Sequence, residues 1–240
     1  VRAHAELSIN ADGRLGRVVS APPVAFRAAG DEVYMVGTAA GPLGDDQITV
    51  TVDVADGATL RLRSAAATIV YQGTSSHQQF EVTVGRAATL DWHPEPLVAT
   101  AGCHHTQHSV VTLAEGAELD WTEEVVLGRH GEGPGWIDFH LDVDLVDAGF
   151  VSHPLLRHQV TVGDPGWDGP AVLAGFRTTG LRVIVRQGWD GPPEPCGEGW
   201  AWMALAGSGW LLAAVGDDLP QLQARMAAAD PTPVLAAVPG

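Results

Sequence analysis

Lysine is missing altogether from the 240 residues, so each of the 13 basic side chains is an arginine, and against 29 acidic residues the formal charge is −16. The arginines are scattered in ones and twos, without the basic stripe that a phosphate backbone or an anionic lipid surface requires. Nucleic-acid and membrane partners are therefore not expected. Without lysine no phosphate-cradling Gly-x-x-x-x-Gly-Lys loop can be written, and no Gly-x-Gly-x-x-Gly stands between a strand pattern and a helix pattern. A Gly-x-Ser-x-Gly elbow is also absent; Ser208, within Gly207-Ser208-Gly209, lacks the spacing. Cysteine is scarce: Cys103 and Cys196 could form one disulfide at most, too few to staple a secreted scaffold. Long apolar runs are missing as well. The longest, Trp200 to Val215, is broken by Gly207, Ser208 and Gly209, and Val1 to Asn10 shows no basic stretch leading into an apolar one. Cytoplasmic residence is the expectation.

What is present is apolar surface and strand pattern. With 45% hydrophobic and 18% charged residues the chain has ample material for a core, and all-β domains often reach this length undivided, so one domain over 1–240 is expected. Apolar and polar residues alternate through Ile48 to Val54, Phe80 to Val84, Val110 to Leu113, Phe139 to Leu145 and Leu181 to Val185, the period of half-buried strands. Small-residue turns recur between them: Gly57-Ala58-Thr59-Leu60, Ala87-Ala88-Thr89-Leu90, Gly116-Ala117-Glu118-Leu119 and, more faintly, Ala148-Gly149-Phe150. A repeat of about 30 residues points to stacked β units burying one another's apolar faces. The expected fold is all-β, a distorted β-helical or solenoid-like stack of β-hairpin units with one or two short helices. One helix is expected near 218–229, where Asp217-Asp218 can cap, Pro220 sits in the first turn, and Leu219, Leu222 and Met226 recur at helical spacing. Ala171 to Phe176 is compatible with a second, and 231–240 reads as a tail.

Metal-ligating side chains are densest at Cys103-His104-His105-Thr106-Gln107-His108, a set that could offer thiolate and imidazole to Zn²⁺, Ni²⁺ or copper. On a strand, however, His104 and His108 fall on one face and Cys103 and His105 on the other, so the four do not make one tetrahedral cage. Carboxylates come in adjacent pairs, Asp45-Asp46 and Glu123-Glu124, of which only one member each can point inward. An inward carboxylate needs a partner such as Arg129 or a cation.

Read in order, Tyr34-Met35-Val36, Gly41-Pro42-Leu43-Gly44-Asp45-Asp46, the strand Ile48 to Val54, and Ala65-Ala66-Ala67-Thr68-Ile69-Val70-Tyr71 resemble the N-terminal half of the urease accessory protein family UreD, also called UreH. Trp92-His93-Pro94-Glu95-Pro96-Leu97 is similar to the family's aromatic-x-Pro-x-Pro turn, and Glu124-Val125-Val126-Leu127-Gly128-Arg129 to its Glu-x-x-x-Gly-Arg element, with Gly131-Glu132 following more closely than is usual there. Order and spacing, more than any single motif, carry the likeness. It implies a β-helical body without enzymatic activity that binds apo-urease, associates with UreF and through it with the GTPase UreG, and lets Ni²⁺ reach the nascent active site. It further implies a water-filled tunnel lined by polar and acidic groups, a transient Ni²⁺ and no tightly bound cofactor. On that footing Asp45 and Glu124 are expected to face the interior, Gly44, Asp46, Tyr71, Gly128, Arg129 and Glu132 belong to the motifs, Cys103, His104 and His108 are secondary metal candidates, and Leu219, Leu222 and Met226 face UreF. Two other classes remain open: a metal-dependent β-barrel enzyme using His104, His108 and a carboxylate, and a β-solenoid binding module with no metal role.

Overall fold

The computed structural model describes residues 1–230, so the tail expected at 231–240 lies outside the described residues. The first strands are β1 (Arg2–Ile9), β2 (Leu15–Val19), β3 (Val24–Ala29), β4 (Glu32–Gly37), β5 (Gln47–Val54) and β6 (Thr59–Ser64). There follow β7 (Thr68–Val70), β8 (Ser75–Val84), β9 (Thr89–His93), β10 (Leu97–Ala99), β11 (His104–Ala114) and β12 (Glu118–Leu127). The last are β13 (Trp136–Val146), β14 (Ser152–Val162), β15 (Thr178–Val185), β16 (Cys196–Gly197), β17 (Trp200–Ala204) and β18 (Trp210–Gly216), before helix α1 (Leu219–Ala228).

Two sheets face one another. The first runs β14-β13-β11-β8-β5-β1-β2; the second runs β16-β17-β18-β15-β12-β9-β6-β4-β3, with β7 and β10 attached beside β12. In the middle of both, neighbours are parallel and one repeat apart: β5 with β8, β8 with β11, β6 with β9, and β9 with β12. Strands β7 and β10 form a short third wall, also parallel, with β10 continuing onto the far end of β12. The expected solenoid-like stack is therefore the observed architecture.

Within that stack the Gly-Ala turn joins strands of opposite sheets, so the repeating unit is an arch and not a hairpin. β5 pairs with β1 and β8, never with β6. The alternation that suggested hairpins describes inward and outward faces equally well for an arch, since both orient side chains with period two. Each arch turns on a left-handed residue, Gly57 at φ 73°, Ala87 at 50° and Gly116 at 74°. The arches also bond to one another, Gly57 N–H donating to the Arg86 carbonyl and Thr89 N–H to that of Ala58. Only the fourth turn, Asp147 to Val151, is a true hairpin: β14 folds back antiparallel on β13, and the parallel stacking ends there.

Register places like residues on like. Leu60, Leu90 and Leu119 are consecutive partners and almost fully buried, and the Trp92 and Trp121 rings meet at a tilt of 46° with centroids 5.7 Å apart on the next inward row. Across the interior they meet Val52, Val82 and Val111 of the first sheet in one cluster. Nonpolar burial of this kind, about 25 cal/mol per Å², stabilises the stack without any cross-link.

Helix α1 packs on the outer face of the second sheet. Asp218 caps it, accepting the Gln221 N–H at 2.9 Å, and Pro220 lies in the first turn, as the sequence leads one to expect. Leu222 and Met226 settle over Gly180, where a β-carbon would stand 2.6 Å from the Met226 sulfur. Ala171 to Phe176 forms consecutive turns instead of a second helix, closed by bonds such as Leu173 N–H to Trp167 O.

Candidate functional site

The inward rows of the stack are apolar along most of their length and polar over a few rungs at the start of β8 and β11. Gln78 on β8, Gln107 and Ser109 on β11, and Glu123 on β12 are all buried among the hydrophobic rows. β12 reads Leu119, Trp121, Glu123, Val125, Leu127 on its inward face, and simple alternation carries the carboxylate into the body. Glu123 is 4% exposed. Its Oε1 accepts from Ser109 Oγ at 3.1 Å and from Gln107 Nε2 at 3.3 Å, both reaching across from the opposite sheet. Its Oε2, and the indole Nε1 of Trp121 beside it in the same row, complete no hydrogen bond among the described residues, although the indole lies close enough to favour the ionised carboxyl. Burial outweighs the contacts with Ser109, the Trp121 indole and Gln107 and pushes the Glu123 carboxyl up to about 8, so at neutral pH it is mostly protonated.

Three cavities meet along this stretch. One of about 280 Å³ lies at the β3–β4 end, between Pro23, Met35, Pro42, Tyr71 and Gln78. A second, about 30 Å³, shares Met35, Thr68 and Gln78 with it and touches Gln107 and Glu123. The third, about 40 Å³, shares Glu123 and Phe139 with the second and extends to His158 and Ala213. Glu123 thus stands where two small cavities share lining residues, the one toward His158 walled mainly by apolar side chains such as Val125, Ile137 and Val160.

The expected site residues fall elsewhere in part. Asp45 is exposed at φ 65°, its N–H bonded to the Ser75 carbonyl, whereas its neighbour Asp46 is the buried member and accepts the Leu43 N–H at 2.8 Å. The second pair is likewise reversed: Glu123 is enclosed, while Glu124 is on the outward side, half-buried, and accepts from Gln223 Nε2 of α1 at 3.0 Å. Burial raises the Glu124 carboxyl, offset by the Gln223 bond and reinforced by Glu95. The expectation that Asp45 and Glu124 face inward is corrected accordingly. Glu123-Glu124 lies on β12, where one member must point in and register says which; Asp45-Asp46 lies in the turn before β5, where the turn's own bond from Leu43 N–H to Asp46 encloses the second member.

Gly44 presses on the Thr74 backbone, and Tyr71 lines the large cavity with its ring partly exposed. Gly128, Arg129 and Glu132 build a corner after β12: Glu132 accepts from the Arg129 N–H at 3.3 Å, and Arg177 donates to the Leu127 and Glu132 carbonyls. Arg129 therefore neighbours Glu132 and not Glu124.

Cys103, His104 and His108 do not converge. Cys103 is buried, its thiol pushed up to about 11 by burial. His104 stacks outward on Trp136 at 4.0 Å, and His108, four residues along the same outward face, pairs with Asp142 at 3.1 Å. His105 points inward, bonded to Ser76 Oγ at 2.8 Å and held down to about 4 by burial first and by His77. Among the described residues no three His, Cys, Asp or Glu side chains gather as a metal cage. Leu222 and Met226 are buried against the chain's own sheet and Leu219 is half-buried, so the stripe expected to face a partner packs inside, because β15 and β18 offer it an apolar bed.

A parallel β-solenoid body closed by an antiparallel end, with a carboxylate enclosed in its interior, defines the class. The family model for "UreD urease accessory protein" matches residues 18–235. A "Urease accessory protein UreD" of Streptomyces coelicolor is 39% identical over 238 residues, covering 93% of either chain. One from Parafrankia is 34% identical over 274 residues, with 98% of this chain and 92% of its own covered, and one from Streptomyces avermitilis is 37% identical over 235, with 91% and 92% covered. The chain belongs to the UreD urease accessory protein family, a family of accessory proteins and not of enzymes. Among the described residues no helix is long and apolar enough to cross a membrane.

Proposed function

We propose that the protein serves urease maturation in the cytoplasm as a scaffold that binds apo-urease and UreF, with UreG joined through UreF, and passes Ni²⁺ through its interior to the urease active site. The observation that carries this reading is Glu123, an enclosed carboxyl with one oxygen unpartnered where two cavities adjoin. Oxygen donors hold Ni²⁺ more loosely than a closed set of imidazoles and thiolates would, and loose holding suits transfer. The separation of Cys103, His104 and His108 fits the same reading, since a closed cage of that kind would retain the ion.

The partner surfaces follow from charge: a chain at −16 meets basic faces most readily. The test is activation of apo-urease at limiting nickel, together with co-purification of UreF, for Glu123→Gln, Glu124→Ala and Asp45→Ala. Loss of nickel loading in Glu123→Gln with the complex intact is the expected result. Full loading in that variant overturns the passage, and failure to co-purify UreF in the wild type overturns the scaffold.

A further inference from the structure

The turn Trp92-His93-Pro94-Glu95-Pro96-Leu97 leaves a break in the wall of the solenoid. β12 pairs with β9 through Trp121, opposite Trp92, and with β10 from Val125, opposite Leu97. Between them Thr122, Glu123 and Glu124 have no ladder partner on that side, although the pairing of β12 with β15 on its other side is continuous from Leu119 to Val126. The cause is chemical. Pro94 and Pro96 have no N–H to donate, and the one available donor between them, Glu95 N–H, is turned to Ser64 Oγ at 2.8 Å. One strand also has an extra residue between the paired positions, so the ladder cannot close across the gap.

What lines the gap is graded from outside to inside. Glu95 is exposed, Glu124 half-buried and Glu123 buried, and all three border the 30 Å³ cavity that also touches Gln78 and Gln107. That volume is about one water molecule. Glu123 Oε2 is unpartnered and enclosed on the inner side, and Thr122 Oγ1 in the same gap is also buried without a partner among the described residues. Three carboxyl groups stand at rising depth with no cationic side chain bonded to any of them among the described residues; Glu95 and Glu124 attract a small divalent cation and repel anions, while Glu123, protonated at neutral pH when empty, releases its proton to the ion it accepts.

We propose that this break is a lateral mouth of the interior passage, taking up a divalent metal ion at Glu95, handing it past Glu124 and delivering it to Glu123. The mouth rests on the passage reading above and adds an entrance to it through the second sheet, separate from the large cavity at the β3–β4 end. Gln223 of α1 is its gatepost, since its amide holds Glu124 Oε2 at the rim. Glu95 and Glu124 are positioned to concentrate the cation; Glu123 is the inner acceptor.

The experiment is a titration of the full chain with NiCl₂, following paramagnetic broadening of the Trp121 indole N–H, in parallel with urease activation at limiting nickel. Glu95→Arg and Glu95→Gln alter an exposed side chain and should leave the fold intact, which circular dichroism checks. Broadening of Trp121 in the wild type, several-fold weaker in Glu95→Arg, intermediate in Glu95→Gln and absent in Glu123→Gln, supports the mouth. Broadening lost in Glu123→Gln but unchanged in both Glu95 variants leaves the passage standing and overturns the mouth. No broadening in the wild type, or none lost in Glu123→Gln, overturns both.

Discussion

Ser109 on one sheet donates a hydrogen bond of 3.1 Å to Glu123 on the other, joining the two walls of the body through a carboxyl group that is 4% exposed. Among the described residues no cation is bonded to it, and Ser109, Gln107 and the adjoining Trp121 indole answer its burial. The energetic consequence has a definite sign. The unfolded chain ionises this carboxyl near the ordinary value of 4.5, the folded chain near 8, so between those values the folded state binds more protons.

Stability of the wild type is therefore expected to fall as pH rises from about 5 to 8, by at most about 1.4 kcal/mol per pH unit from this group. Glu123→Gln, which keeps the shape and cannot ionise, should lose that part of the slope. Urea midpoints measured across the range for both proteins check it. Parallel slopes would mean that Glu123 is ionised or solvated in the folded state.

Leu90 sits in the middle of the Leu60-Leu90-Leu119 row at 1% exposure. Leu90→Ala should cost about 2–5 kcal/mol, because rungs on both sides prevent the cavity from collapsing. Chemical denaturation is the measurement, and a loss under about 1 kcal/mol would speak against a close-packed stack.

The arch turns give an opposed pair of substitutions. Gly57 is left-handed with open space where a β-carbon would stand, so Gly57→Ala should cost about 1 kcal/mol from backbone strain alone. Ala87 holds the corresponding position at φ 50°, and Ala87→Gly should gain up to about 1 kcal/mol. The signs of the two changes in thermal midpoint are the readout.

On the outer face of the second sheet Arg182 grips Asp120 through two bonds of 2.8 Å and reaches Asp230 at 3.0 Å, tying the end of α1 to the sheet. Arg182 and His93 outweigh burial and hold the Asp120 carboxyl well below the usual range, so its contribution is present above about 4 and lost as pH falls further. Asp120→Asn should destabilise by about 3 kcal/mol at neutral pH and flatten the acid limb of the stability curve. An acid limb identical to that of the wild type would remove Asp120 from the account.

Much of the fold was legible in the sequence because a solenoid repeats its local instructions. The Gly-Ala-x-Leu spacing, the alternation in Ile48 to Val54 and Phe80 to Val84, and the cap at Asp218 are each properties of a few neighbouring residues, and each has its counterpart in the structure. An arch and a hairpin share that local pattern; what separates them is the partner of β5, which is β8 one rung away.

The site was legible to within one residue and no closer. The sequence shows that Asp45-Asp46 and Glu123-Glu124 each offer one carboxyl to the interior, and the structure encloses Asp46 and Glu123, the members opposite to those expected. A shift of one residue exchanges the faces of a strand, and the register of β12 is fixed by its ladders to β9 and β15, not by its own composition. Met226 is a similar case: its helical spacing was visible, but only Gly180 beneath it decides that it is buried against this chain.

The sequence by itself determined an acidic, lysine-free β-solenoid ending in a capped helix, since those features follow from residue type and short-range period. Only the tertiary structure decided which carboxyl is enclosed, that Cys103, His104 and His108 do not meet, and that the ladder is interrupted at Pro94 and Pro96 beside Glu123. Those outcomes depend on pairing between rungs about 30 residues apart, which no local window contains.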